Sequence, residues 1–233
     1  MIKVIGWQSW SPVISTRNKI PIRNYSPFKN KETSSIINPK NKLKRAPLGW
    51  CSWHAFGTNI NSKIIINHAC WIAKNRKSIP LDYVLIDDGW TKMGDWLTSS
   101  KQKFPDGMKK VAMRIKKLGL KPGIWIAPFL VQADSLLAKN HPEWLISNKK
   151  GKLLEGTRIS PFDNLFLRKR WVLNLQIKKV NEYLFNIFDV IISDWGFELI
   201  KLDFLYAQHF NPFYSNSKIP DNLLSEFLLL ISK

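Results

Sequence analysis

Cysteine is scarce in this chain: Cys51 and Cys70 are the only two among 233 residues. Two thiols exclude a disulfide framework, and without a C-x-x-C pair they exclude the usual cysteine-based zinc and redox motifs. They read as buried or idle thiols of a reducing compartment. Long apolar runs are absent too. Nothing approaches the roughly 18 residues that a bilayer span requires, and the run Phe227-Leu228-Leu229-Leu230-Ile231 reads as a buried helix face. The opening Met1-Ile2-Lys3-Val4-Ile5-Gly6-Trp7 lacks a basic segment followed by an apolar one, so no secretory signal is visible and the cytoplasm is the expected location. No G-x-G-x-x-G turn follows any candidate strand, which removes the usual dinucleotide fingerprint, and no G-x-S-x-G elbow exists. His54, His68, His141 and His209 have no ligand-like spacing. Neither a metal nor a cofactor is expected.

Acidic residues are few. Seventeen Asp and Glu face 36 Lys and Arg, a formal charge of +19. Such an excess raises the question of nucleic acid. Yet the basic residues are scattered, as in Lys109-Lys110, Lys116-Lys117, Lys149-Lys150 and Arg168-Lys169-Arg170. No basic block carries interleaved aromatics. A drift of the whole composition toward Lys, Asn and Ile accounts for the charge equally well. No specific nucleic-acid partner and no membrane partner are expected.

What the chain does have is apolar bulk: 45% hydrophobic residues, with 13 Phe and 11 Trp. That suffices for a sizeable core. Residues 1–45 are polar and irregular, with strand material only at 2–5 and 7–10 and a linker-like run over 17–45. From Pro47 onward short apolar runs alternate with helical patterns. Strands are predicted over 48–53, 83–86, 123–127 and 199–204. Helices are predicted from Ser62, as cap, to about 77, over 108–118 and 175–192, and from Pro220 onward, with an insertion over 135–161. The first helix would turn Ile64, Ile65, Ala69, Ile72 and Ala73 inward. Strand–helix alternation with near-continuous apolar strands means a parallel sheet covered by helices, as either a doubly wound or a barrel fold.

The acids sharpen this. Asp87 and Asp88 close the second of these strands and Asp203 the fourth. In parallel barrels the C-terminal strand ends line the active site. A carboxylate there is costly to desolvate unless it is paired or used, so three of them point to a site. On a strand, residues two apart face the same side, so Lys201 shares a face with Asp203. A neighbouring ammonium favours an ionised carboxylate, which is what a retaining glycosidase needs in its nucleophile. Trp50, Trp53, Trp90 and Trp125 lie in or just after the strands, and sugars stack their apolar faces on such rings. Trp53 and Trp125 are the candidate pocket walls. Trp7, Trp10, Trp71, Trp144, Trp171 and Trp195 read as packing. His54 and His209 follow strand ends within reach of a substrate.

These motifs also occur in a recognisable order. Gly49-Trp50-Cys51-Ser52-Trp53, Ile86-Asp87-Asp88-Gly89-Trp90, Gly94-Asp95-Trp96, Phe104-Pro105-Asp106-Gly107, Leu120-Lys121-Pro122-Gly123-Ile124-Trp125, His141-Pro142-Glu143-Trp144 and Ile200-Lys201-Leu202-Asp203-Phe204 follow one another over 47–207. The series resembles glycoside hydrolase family 36, the α-galactosidases of melibiose- and raffinose-type sugars. The resemblance implies a (β/α)8 TIM-type barrel with about its first four β/α units over 46–233, preceded by the end of a β-sandwich domain and linker over 1–45. It implies Asp203 as catalytic nucleophile, Asp87, Asp88 and Lys201 as galactose-binding residues, and Trp53 and Trp125 as pocket lining. The reaction implied is double displacement with net retention on small α-galactoside oligosaccharides.

The family's acid/base lies on a later strand than this chain contains. The expectation is therefore a half-barrel with unpaired edges, unstable or self-associating and nearly inactive alone. A galactosyl transglycosylase of the raffinose-synthase type, or an inactive sugar-binding remnant, is the alternative. Product analysis with excess acceptor sugar distinguishes transfer from hydrolysis.

Overall fold

A computed structural model describes residues 3–6, 47–156 and 169–208. The predicted strand at 7–10, the linker, His209 and the helix from Pro220 lie outside these residues.

The strands are β1 (Lys3–Gly6), β2 (Gly49–Cys51), β3 (Tyr83–Ile86), β4 (Lys121–Ile126), β5 (Leu130–Gln132), β6 (Arg170–Val172) and β7 (Leu199–Leu202). The helices are α1 (Trp53–Phe56), α2 (Ser62–Lys74), α3 (Gly107–Lys117), α4 (Leu136–Asn140) and α5 (Lys178–Asp189). Five strands form one parallel sheet in the order β1-β7-β4-β3-β2. From β2 to β7 the strands stand in chain order, each new one added on the same side of the last. A doubly wound sheet reverses direction at a switch point; these four strands do not. The strand at the start of the chain pairs in parallel with β7, Lys3 opposite Leu199 and Gly6 opposite Leu202.

Register divides the sheet into two faces. Val84, Ile86, Ile124, Ile126, Ile200 and Leu202 are all buried and share one side, the side that helices α2, α3 and α5 cover. Cys51, Leu85, Gly123, Trp125, Leu199 and Lys201 share the other, because Cys51 pairs with Leu85, Leu85 with Gly123, and Trp125 with Lys201. Period-two alternation carries Asp87 and Asp203 onto that second side.

The helices form where apolar residues recur at helical spacing, but their details differ from the sequence reading. Helix α2 is capped by Asn61, not Ser62: the Asn61 carboxamide oxygen accepts from Ile64 N–H at 2.9 Å. Its buried face is Ile65, Ile66, Ala69 and Ile72, with Ile64 and Ala73 only partly buried. Helix α5 begins later than predicted and runs on into a single π turn at Val190–Asp194. The predicted insertion contains α4, and outside it, one strand on either side, stands the antiparallel pair β5–β6, with Leu130 opposite Val172. No helix among the described residues is long and apolar enough to cross a membrane.

Aromatic rings knit the strand ends together. Trp90, fully buried, donates its indole N–H to Trp125 O at 2.9 Å and so ties the end of β3 to β4. Trp90, Trp96 and Trp125 form a chain of rings with centroids 5.8 and 5.9 Å apart, and Trp195 meets Trp90 edge-on at 6.1 Å. Such pairs contribute about 0.5–1.5 kcal/mol each beyond burial. Trp71, read as packing, instead stands 54% exposed on α2. Substituting Trp90→Phe keeps a ring but removes the donor. It is expected to cost roughly 1–3 kcal/mol in urea unfolding, because the buried Trp125 carbonyl loses its partner.

Candidate active site

The side chains singled out in the sequence converge at the carboxyl ends of β3, β4 and β7. Asp87, the residue after β3, is 2% exposed. Its Oδ2 accepts from Lys201 Nζ at 2.9 Å and from Cys51 Sγ at 3.2 Å, and its Oδ1 accepts from Asp88 N–H at 2.9 Å. Its own N–H donates to the buried Ser52 hydroxyl at 3.0 Å. Every atom of the carboxylate is thus engaged within the protein. Burial works against the Lys201 charge, but the hydrogen bond and charge of Asp87, with the fields of Cys51 and Asp203, hold its ammonium above its ordinary range.

Asp203 follows β7, and its N–H extends the ladder by donating to Ile126 O at 3.0 Å. Its two carboxylate oxygens are held separately. Trp125 Nε1 donates to Oδ2 at 3.0 Å and Phe204 N–H donates to Oδ1 at 2.8 Å. The Phe204 contact requires a backbone turn: its φ is +53°, the only positive value at a non-glycine among the described residues. A bulky residue in the left-handed region is strained by about 1–3 kcal/mol. The Phe204 ring lies edge-on to Trp125 at 6.4 Å, behind the indole that grips the nucleophile candidate. Trp125 itself is 2% exposed, so it meets the site through its N–H and not through an open ring face. Trp53, by contrast, presents 42% of its surface from α1.

Asp88 has a different setting. It lines a cleft of about 740 Å³ together with Lys103, Arg170, Thr58 and Gln132. Asp87, Lys201, Asp203, Trp53 and Trp125 are not on that wall. Burial pushes the Asp88 carboxyl up to about 6, against the Gly89 amide and the nearby charge of Arg170, which pull it down. Gly89 allows this loop to exist. Its φ is +111°, and a Cβ there would meet Thr58 O at 2.5 Å.

The sequence reading passed over Cys51 as an idle thiol. It is half-buried, unpaired with Cys70, and hydrogen-bonded to Asp87. It stands opposite Leu85, on the sheet face that also carries Asp87, and nothing in the sequence alone marked it. His54 is exposed on α1. Among the described residues no three His, Cys, Asp or Glu side chains gather into a metal-holding group.

Carboxylates and a lysine gathered at the carboxyl ends of parallel strands define a class: the α/β proteins that carry their site on that rim. Comparison narrows the class. The melibiase family model matches residues 23–220, and the chain belongs to that family. The α-galactosidase of Escherichia coli is 28% identical over 173 residues, 71% of this chain and 22% of that protein. The α-galactosidase Mel36A of Lactobacillus acidophilus is 29% identical over 72% of this chain and 22% of its own length. A structure of the Thermus thermophilus α-galactosidase TtGalA, in complex with p-nitrophenyl α-D-galactopyranoside, superposes with a TM-score of 0.62. It is 32% identical over 71% of this chain and 32% of that one. The chain spans about a fifth of the length of these curated relatives.

Two outcomes follow from the geometry. Phe204→Gly should relieve the left-handed strain, while Phe204→Ala keeps the strain and loses the ring. Glycine at this position is expected to be the more stable of the two by roughly 1 kcal/mol or more in denaturant titration. For Asp88, the folded-state value lies above the ordinary 3.8. The folded chain therefore holds this proton more tightly than the unfolded one, and stability from this group falls as pH rises from about 4 to about 6. Asp88→Asn should then be more stable than the parent at pH 7, by on the order of 2 kcal/mol. The difference should shrink toward pH 4 in parallel urea titrations.

Proposed function

We propose that this chain carries the nucleophile side of a retaining α-galactosidase site, on the wall of a (β/α)8 barrel of which β2, β3, β4 and β7 are the first four strands. The observation that carries the reading is the Asp203 carboxylate, fixed at both oxygens and set on the same sheet face as the ion pair of buried Asp87 with half-buried Lys201. The substrate class is a small oligosaccharide with a terminal α-galactosyl residue. The relatives named α-galactosidase, and the galactoside bound in the Thermus structure, support that class.

In this reading one Asp203 oxygen attacks the anomeric carbon as the bond to the leaving oxygen breaks. A covalent galactosyl-enzyme results, and water attacking the same carbon releases the sugar with net retention. Fixed donors on Asp203 fit this role, since an oriented nucleophile needs no rearrangement before attack. Lys201 and Asp88 would bind sugar hydroxyls, and the exposed Trp53 would offer a ring face to the sugar. Asp87, engaged on all sides, would act by holding Lys201. Retention also requires a second carboxyl about 5 Å from the first, and the reading assigns that acid/base to residues outside those described. Hydrolysis is favoured over transfer by the relatives, which are named α-galactosidases.

The test is labelling with 2-deoxy-2-fluoro-galactosyl fluoride. Fluoride leaves without a general acid, so the reagent reports on the nucleophile alone. The expected result is one galactosyl adduct on the peptide containing Asp203, absent in Asp203→Ala. Galactose binding without any adduct would favour a sugar-binding remnant, and an adduct elsewhere would displace Asp203 from the role.

A further inference from the structure

Cys51 stands at the end of β2, one strand away from Asp87 and three from Lys201. It joins the group only through its sulfur, which lies 3.2 Å from Asp87 Oδ2, the same oxygen that accepts from Lys201 Nζ at 2.9 Å. The second oxygen is occupied by the Asp88 amide. Without the thiol, Oδ2 would be held by a single ammonium on a flexible four-carbon stem. With it, the carboxylate is pinned from β2, from its own loop and from β7. The sheet does the rest: Trp125 pairs with Lys201 across the β4–β7 boundary, and Lys201 and Asp203 are two residues apart on one face.

We propose that Cys51 is a positioning residue of this site: its thiol donates to Asp87 and fixes the carboxylate so that Lys201 is held beside Asp203. The value of that placement for a sugar rests on the galactosidase reading above; the placement itself does not. The thiol suits the task because it remains a donor. Burial, opposed by a backbone hydrogen bond and reinforced by the Asp87 charge, pushes it up to about 11. A thiolate at this spot would repel Asp87; a thiol binds it. Alanine loses the donor, whereas serine retains one of similar reach.

The test uses the full chain with Cys70→Ser, which leaves Cys51 as the sole S–H oscillator. Its S–H stretching band, read by Raman spectroscopy, should lie lower in frequency in the folded chain than in the same chain unfolded in urea, as donation to a carboxylate requires. The second readout is reductive methylation of Lys201, quantified by mass spectrometry of its peptide. Cys51→Ala should raise Lys201 reactivity roughly fivefold as its anchor loosens, and Cys51→Ser should restore protection. Other lysines serve as internal reference, so a general loss of structure is recognised by their joint rise. An S–H band unmoved by unfolding, or Lys201 reactivity unchanged in Cys51→Ala, overturns the proposal. Neither readout involves a sugar, so failure of Asp203 labelling would count against the galactosidase reading and leave this one standing.

Discussion

A carboxylate and an ammonium 2.9 Å apart, the carboxylate side chain only 3% exposed, set the terms for everything around them. Removing two charges from water costs several kcal/mol each, and attraction offsets this only when geometry is good and remaining hydrogen-bonding capacity is filled. Here it is filled: Asp87 has three donors on its two oxygens. The pair reaches from β3 past β4 to β7, so it forms only when those three strands lie in register. Breaking one partner would leave a buried charge alone, which is far worse than never having buried it.

The two neighbouring acids show how placement divides labour between like side chains. Asp87 turns inward and is consumed by internal partners. Asp88, one residue later and just before the turn at Gly89, lines a cleft and has its acidity weakened by burial. Asp203 is held by one aromatic N–H and one backbone N–H, with no cation in direct contact among its hydrogen bonds. Three carboxylates of one residue type thus meet three environments, and the strand-end geometry decides which is which.

Much of this was legible in the residues. Strand ends bearing acids, and Lys201 two before Asp203, follow from period-two alternation, and the structure brings Asp87, Lys201, Asp203 and Trp125 onto one face as that alternation requires. Strand placement held within a few residues for β2, β3, β4 and β7. Other features were not legible, for physical reasons. Asn61 and Ser62 are both good caps, and only the chain path decides which one turns its side chain onto the helix. The β5–β6 pair is three residues a side and stabilised by partners more than 35 residues away, so no local period announces it. Trp125 is as suited to a pocket wall as to a core; its burial depends on Trp96 and Phe204 arriving from distant segments. Cys51 carried no chemical pattern of its own, and its meaning appears only once Asp87 is beside it.

The two-faced register has a consequence at the level of the gene. Inserting a single codon within β7 upstream of Lys201 would move Lys201 and Asp203 by one position of the alternation, driving both charges toward the helices and bringing Ile200 and Leu202 to the site face. The same codon inserted in the exposed stretch between α2 and β3 would lengthen a surface loop without altering which side any strand residue faces. Insertions and deletions among relatives should therefore accumulate in the exposed connections and be purged from the strands, so that the length of each strand is a more stringent inheritance than the identity of most residues within it.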